Sequence, residues 1–357
     1  MYNENTQSMK SSTDEIDVKA EAVIAACAQQ FSWKPDEELV NHLRRALHAR
    51  FQGIPPEQVQ NTYLKEFEIP QIRLFDILAN SFSLVLEAQK LVGKCIISLA
   101  NNQRHLCLID IGIGRSVQMA RILQSLNECK HIETVTLIGI EIQKDSLEFS
   151  KNLLDEMKKS LHFNLNFYPI NQSIEEIGFD KIHGLIPSNN GKLIINASLA
   201  LHHVQSIETR TRILSILASL NPDLLTLIEP NVNCFANDFE ERCMNAYEHF
   251  GALYAYINTL ALKDEEKKGL KQFFSNELFD AIALPDEYRF EKYDLSNNWC
   301  ALGKSFGLSN FNIEQFVEVE AIPGIKITFN DNGFVNLAFG QTDILGIIAL
   351  KAVDTRH

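Results

Sequence analysis

Apolar residues in the first hundred positions recur at three- and four-residue intervals, the spacing of one helix face. AEAVIAACAQQF and DEELVNHLRRALHARF carry this pattern, and IRLFDILANSFSLVLEAQKLV repeats it up to Gly93. Gly53, Pro55 and Pro56 interrupt it. The spacing predicts helices over residues 18–100, after a polar, loose tail at 1–17. From residue 105 the period changes. HLCLID, TVTLIGIE, HFNLNFYPI, KLIINAS and DLLTLIEP are short apolar runs, spaced roughly 30 residues apart with helical pattern between most of them. Strands buried on both faces of a parallel sheet read this way. The alternation predicts a doubly wound α/β core over 101–236. FEERCMNAYEHFGALYAYINTLAL and EEKKGLKQFFSNELFDAI then return to a long helical period. They predict an inserted helical cap over 237–282, to which the N-terminal helices would contribute. Residues 283–357 return to the core. FNIEQFVEV, FVNLAF and ILGIIALKAV read as strands, the last two as a hairpin across GQTD.

Composition narrows the function classes. No apolar run approaches the ~18 residues of a membrane span, so no membrane partner is expected. The polar N-terminus carries no hydrophobic signal segment, which points to the cytoplasm. A formal net charge of -13 repels phosphate backbones, so nucleic acid is not an expected partner. The seven cysteines are scattered and form no CxxC, which fits free thiols and gives no metal-ligand spacing. KDEEKK and DEMKK read as solvated helix faces.

The chemistry concentrates where predicted strands end. In LIDIGIGRSVQMARIL, Gly112 and Gly114 follow the first strand directly and precede a helix. Glycine permits positive φ and lets backbone approach a ligand. Ser116 is placed to cap the helix, whose N-terminus attracts polar or anionic groups. Glu141 ends the second strand, where a carboxylate can accept ribose hydroxyls. Val117 stands where a third glycine would complete a dinucleotide fingerprint, and Glu141 follows Gly112 by 29 residues rather than about 20. A single nucleoside therefore fits better than NAD, and S-adenosylmethionine fits best. Its amine would face Asp110, Gly112 and Gly114, and its ribose Glu141. Its adenine would lie near Asn171, Gln172 and Ser173, between Ile142 and Ile174.

Acceptor-side groups are expected after the fourth and fifth strands. Asn196, His203 and Glu229 are the catalytic candidates: an amide to orient, an imidazole with an unperturbed pKa near ~6.5, and a strand-end carboxylate that is costly to bury unless paired or used. His202, Asn231 and Asn233 are candidates for binding the acceptor. In the predicted cap, Arg242, Tyr247 and His249 are expected to face the cleft, and Arg242 and Tyr247 are further candidates for binding the acceptor.

LCLIDIGIGRSVQMARILQSL, LIINASLALHHV, LNPDLLTLIEPNVNC and FEERCMNAYEHFGALYAYI resemble successive blocks of the GRAS family, in the family order. IPQIRLFDILANSFSLVLEAQ upstream, and YRFEKYDLSNNWCALGKSFGL and GFVNLAFGQTDILGIIAL downstream, extend the resemblance over roughly residues 20–352. It implies a Rossmann-like class I methyltransferase core, a seven-stranded and mostly parallel sheet, with an α-helical cap and a cleft that holds small ligands. It also implies importance for Glu229 and Arg242, which match family blocks. Plant members are mostly regulators with a degraded glycine turn. This chain keeps Gly112 and Gly114 and resembles the bacterial branch, for which methylation of a small molecule is expected. A catalytically silent ligand-binding or scaffold protein is the alternative. Family members associate, so a homodimer is compatible with the resemblance.

Overall fold

The computed structural model describes residues 2–31, 36–53, 71–188, 191–317, 324–330 and 332–353. Pro55 and Pro56 lie outside them. The helices α1 (Tyr2–Gln30), α2 (Glu37–Gln52), α3 (Gln71–Ser81) and α4 (Ser83–Ala100) come first. Then follow β1 (His105–Ile111), α5 (Val117–Leu126), β2 (Thr134–Ile140), α6 (Lys144–Met157), β3 (Asn164–Ile170) and α7 (Phe179–His183). Next are β4 (Lys192–Ser198), α8 (Ile207–Ser219), β5 (Leu224–Pro230), α9 (Phe239–Thr259) and α10 (Asp264–Ala283). The described chain ends with α11 (Ser296–Ser305), β6 (Leu308–Asn310), β7 (Ile325–Asn330), β8 (Phe334–Phe339) and β9 (Thr342–Ala352).

The class is α/β, with a correction to the expected sheet. It has nine strands rather than seven and is mixed, in the order β3-β2-β1-β4-β5-β9-β8-β7, with β6 also paired to β9. The first five strands are parallel where the continuous apolar runs predict it, and β9 runs antiparallel to β5. Burial explains the sequence pattern. β5 is buried at every position and β1 and β2 at all but their first, whereas β3, at the sheet edge, alternates and carries Pro169. An edge strand tolerates proline because one side of its backbone has no neighbour to bond. β8 and β9 form a hairpin, with Gly340 at φ +65 in the connection.

Three local expectations change. Helix α1 begins at Tyr2, inside the stretch that reads as a tail. The long third helical run breaks at Phe82 into α3 and α4, and α4 passes through Gly93, which faces Ile122 of α5, to Ala100. FNIEQFVEV is not a strand over its described part. Strand β6 precedes it, and Glu314–Phe316 form a short 3-10 turn.

The chain divides into two compact units. Unit 1 comprises residues 1–78, 232–294 and 339–344; unit 2 comprises 79–231, 295–338 and 345–357. The division differs from the expected one, since α4 falls in unit 2, where it packs on β4, β5 and α5. Unit 1 holds α1, α2, α9 and α10. Its aromatic core includes Tyr247, Phe250 and Tyr254, all fully buried. Lys271 of α10 binds Asp36 and Glu38 at the start of α2, both at 2.6 Å. Among the described residues no helix is long and apolar enough to cross a membrane.

Candidate functional site

In unit 2 the strand order reverses between β1 and β4, because β2 and β3 lie to one side of β1 and β4 and β5 to the other. Ligands of open α/β sheets bind at this point, beyond the strand carboxyl ends. The glycine turn stands there. Gly112 has φ +72 and Gly114 φ +53, and Gly112 N donates to Ile140 O at 2.9 Å. A Cβ on Gly112 would lie 2.8 Å from Ala200 Cβ, so the turn is pressed against the loop after β4 and only glycine fits. The space beside Gly114 is open, with Gly112 O the nearest atom at 3.9 Å.

Glu141 clasps this turn. Its Oε2 accepts from Gly114 N at 2.9 Å and its Oε1 from Gln143 N at 2.8 Å. Ser150 of α6, fully buried, holds the turn from behind by donating to Gly114 O at 2.6 Å. The adjoining loop is organised by its own polar side chains. Asn171 Nδ2 donates to the carbonyls of Glu141 and Ile142 at 2.9 and 3.0 Å. Gln172 Oε1 accepts from Lys181, and Ser173 Oγ accepts from Glu175 N at 3.2 Å. Ile142 is left 67% exposed beside them, while Ile174 packs partly buried against the core.

Beneath the turn runs a buried polar ladder across three strands. Asp110, Asn196 and Thr226 are register partners on β1, β4 and β5. Thr226 Oγ1 donates to Asn196 Oδ1 at 2.9 Å, and Asn196 Nδ2 donates to Asp110 Oδ1 at 2.7 Å and to Gln118 Oε1 at 3.4 Å. Every polar atom of the Asn196 amide is thus bound within unit 2. Burial pushes the Asp110 carboxyl up to about 7, against the pull of the Asn196 bond. Ser116 departs from the expected role. It occupies the N-cap position of α5 in the left-handed conformation (φ 60) and makes no side-chain cap. Its Oγ, and the Nε2 of Gln118, are buried without a hydrogen-bond partner, as is Ser198 Oγ at the end of β4.

A second cluster follows β4 and β5. Glu229, 1% exposed, accepts from Leu201 N at 2.9 Å through Oε1 and is hydrogen-bonded to His202 Nδ1 through Oε2. Burial pushes Glu229 up to about 7 and drives His202 well down, so both tend to their neutral forms with one proton between them. The His203 ring lies 3.8 Å from that of His202. Arg210 stacks on Trp299 with its guanidinium 4.3 Å from the ring centre, and its charge favours the Glu229 carboxylate. Asn231 Oδ1 accepts from the Ser296 amide and hydroxyl at 2.8 and 3.0 Å and so fixes the start of α11.

Unit 1 contains the remaining candidates, within its own framework. Asn233 Oδ1 accepts from Phe235 N at 3.1 Å. Arg242 donates to Asp286 at 2.8 Å and to Ala236 O at 3.2 Å. Tyr247 is fully buried and stacks on Phe31. His249 is buried and driven down to about 4.

The structure therefore brings Asp110, Gly112, Gly114, Glu141 and the 171–173 loop to one sheet end. It joins Glu229 to His202 nearby in the same unit. Thr226, Gln118 and Ser150 belong to the first group and are absent from the sequence expectations. The signal for Thr226 is visible in hindsight: Asp110, Asn196 and Thr226 are the polar interruptions of otherwise apolar central strands.

A model of the GRAS domain family matches residues 10–335. The chain is 30% identical over 116 residues to Scarecrow-like protein 1 of Arabidopsis thaliana, covering 30% of this chain and 20% of that protein. It is 27% identical over 208 residues to chitin-inducible gibberellin-responsive protein 2 of Oryza sativa subsp. japonica, covering 54% of this chain and 38% of that protein. The matched regions thus span well under half of either relative. The crystal structure of SCL7 in Oryza sativa superposes with a TM-score of 0.76 at 18% identity, covering 89% of this chain and 90% of that one, which is a likeness of fold.

Proposed function

This chain belongs to the GRAS domain family, and on that footing we propose that it binds S-adenosylmethionine in unit 2 and methylates a small molecule. The observation that carries the reading is the glycine turn at the point where the strand order reverses, with Ser116 and Gln118 keeping buried polar atoms unpartnered beside it. Such atoms cost free energy unless a ligand or water meets them. Gly112, Gly114 and Asp110 would hold the amino-acid end of the cofactor, Glu141 the ribose, and Ile142 with Asn171, Gln172 and Ser173 the adenine. When bound, the cofactor supplies an electrophilic methyl group on sulfur.

The residues' own part is positioning and proton handling. Asp110 in its ionised form favours a cationic amine at the turn. Glu141 keeps a lone pair on each oxygen beyond its two backbone bonds, available to hydroxyls. Glu229, when ionised, can take up the proton that an acceptor loses. His203 and Asn231 remain acceptor-side candidates within unit 2 under this proposal.

Calorimetric titration with S-adenosylmethionine, S-adenosylhomocysteine and NAD tests the reading. Saturable binding of the two adenosyl compounds and none of NAD is the expected result. A ligand at a hundred times its dissociation constant adds about 2.7 kcal/mol of stability, so thermal unfolding gives an independent check. No adenosyl binding at millimolar ligand refutes it.

A silent ligand-binding or scaffold protein is the second reading. It is favoured by the internal engagement of the acceptor-side groups: Asn196 has no amide atom to spare, and both Glu229 oxygens are bonded. Cofactor binding without methyl transfer to any acceptor selects it.

A further inference from the structure

The chain leaves β4 through a single strained residue. Among the described residues four other than glycine have positive φ: Asn102, Ser116, Leu199 and Asn221. Asparagine tolerates this region, because its short polar side chain bonds locally. Leucine does not, and at Leu199 (φ +55) the Cβ crowds the following carbonyl. Such a conformation persists only where the surroundings fix the chain on both sides. Before the bend, Leu199 N donates to Ile228 O at 2.7 Å and extends the β4–β5 ladder by one rung. After it, Ala200 fills the space that the missing side chain of Gly112 leaves. Leu201 N then donates to Glu229 Oε1 at 2.9 Å, and the His202 ring reaches Glu229 Oε2 through Nδ1. Both oxygens of a buried carboxylate thus find partners in two residues that follow one strained bend. An extended backbone at 199 would carry the chain on along the strand and take amide and ring away from Glu229.

We propose that Leu199 is a positioning residue for the reaction proposed above: its left-handed backbone aims the Leu201 amide and the His202 ring at Glu229, and so holds the carboxylate that takes up the acceptor's proton. The proposal rests on the role given to Glu229 in that reading. The amide matters because a backbone donor favours the ionised form. Burial raises the Glu229 carboxyl to about 7, and the Leu201 bond is the largest influence opposing it, ahead of the charges of His203 and Arg210. The loop after β4 supplies His202 and His203, α8 supplies Arg210, and β9 sets the uncharged Gly346 opposite Glu229. Burial keeps His202 neutral, so its ring reports the proton on Glu229. Its Nδ1 carries a proton when Glu229 is ionised and accepts one from Glu229 when it is not.

The test is a titration of the full chain by nitrogen NMR, which follows the ten histidine rings and the Leu201 amide between about pH 5 and about pH 9. In the wild type the His202 Nδ1 signal and the Leu201 amide are expected to change together with one midpoint, and Glu229→Gln is expected to abolish both changes. Leu199→Gly adopts positive φ freely and is expected to leave the midpoint in place. Leu199→Val has a branched side chain that resists this region. It is expected to raise the midpoint by about one pH unit or more, the equivalent of one hydrogen bond to a charged group. A purely structural role would lower the melting temperature of Leu199→Val and leave the midpoint unchanged, and that result refutes the proposal. A Leu201 amide that ignores the Glu229 step in the wild type also refutes it, and needs no variant to fold. Equal shifts in Leu199→Gly and Leu199→Val would trace the effect to the lost leucine side chain and overturn the argument from the backbone. The titration uses no ligand, so its failure is read apart from a failure of adenosyl binding.

Discussion

Asp110 titrates well above an ordinary carboxyl, and the sign of its effect on stability follows. Folded, it sits at about 7; unfolded, it returns to about 3.9. Its contribution is therefore present below the unfolded value and is lost as pH rises through the folded one. Asp110→Asn keeps an oxygen for Asn196 and removes the ionisation. The stability of the variant relative to wild type is expected to rise between pH 5 and pH 8, by about 2–3 kcal/mol, in urea unfolding at the two pH values. A constant difference would mean that Asp110 is ionised throughout. Glu141→Ala removes the acceptor of two backbone N–H groups as well as the proposed ribose contact. It is expected to weaken S-adenosylmethionine by more than about tenfold, since charge-assisted bonds of this kind contribute about 1.5–3 kcal/mol. A wild-type dissociation constant in that variant would exclude Glu141 from the site. Much of this chemistry was legible from single residues. A carboxylate, two glycines and an amide at strand ends stand out against apolar neighbours. Gln118 did not, because a polar residue in the first turn of an amphipathic helix reads as surface until the strand beside it is known.

Elements were legible where burial is two-sided. β1, β2, β4 and β5 have continuous apolar runs because neighbouring strands and covering layers leave them almost no exposed face. FNIEQFVEV misleads for a related reason. Its aromatic and β-branched residues imitate a strand, yet Phe311 and Ile313 are buried from a loop and a 3-10 turn. The break at Phe82 is hidden because α3 and α4 share one helical period. The glycine turn offers a sharp test at this scale. Gly112→Ala combines an unfavourable φ with a 2.8 Å approach to Ala200, while Gly114→Ala meets open space. The first is expected to cost about 2–4 kcal/mol and the second about 1–2 kcal/mol in denaturant unfolding. Equal costs would mean that the loop after β4 yields. In unit 1, Asp238 caps α9 by accepting from the amides of Glu240 and Glu241. Asp238→Ala is expected to lower stability by about 1 kcal/mol.

At the scale of the whole molecule, alternation of period revealed an α/β chain, but not which helices share a unit. Residues 79–100 keep the helical rhythm of the preceding segment and yet belong with the sheet. Periodicity marks which face is buried, and it carries no information about what buries it. The net charge gives one further prediction. At -13 the chain is expected not to retain a random DNA duplex at physiological salt, measured by fluorescence anisotropy. Salt-sensitive binding would show a local basic patch that the total conceals. The placement of β9 has a consequence for synthesis. It lies between β5 and β8 in the sheet and also pairs with β6, yet it is the last strand of the described chain to leave the ribosome. Until it arrives, β5 presents a largely apolar strand with one open edge, and strands β6 to β8 lack the neighbour that joins them to it. From the completion of β5 at Pro230 to the arrival of β9 at Thr342 the nascent chain thus has its central seam unsewn, the state in which hydrophobic edges recruit chaperones or one another.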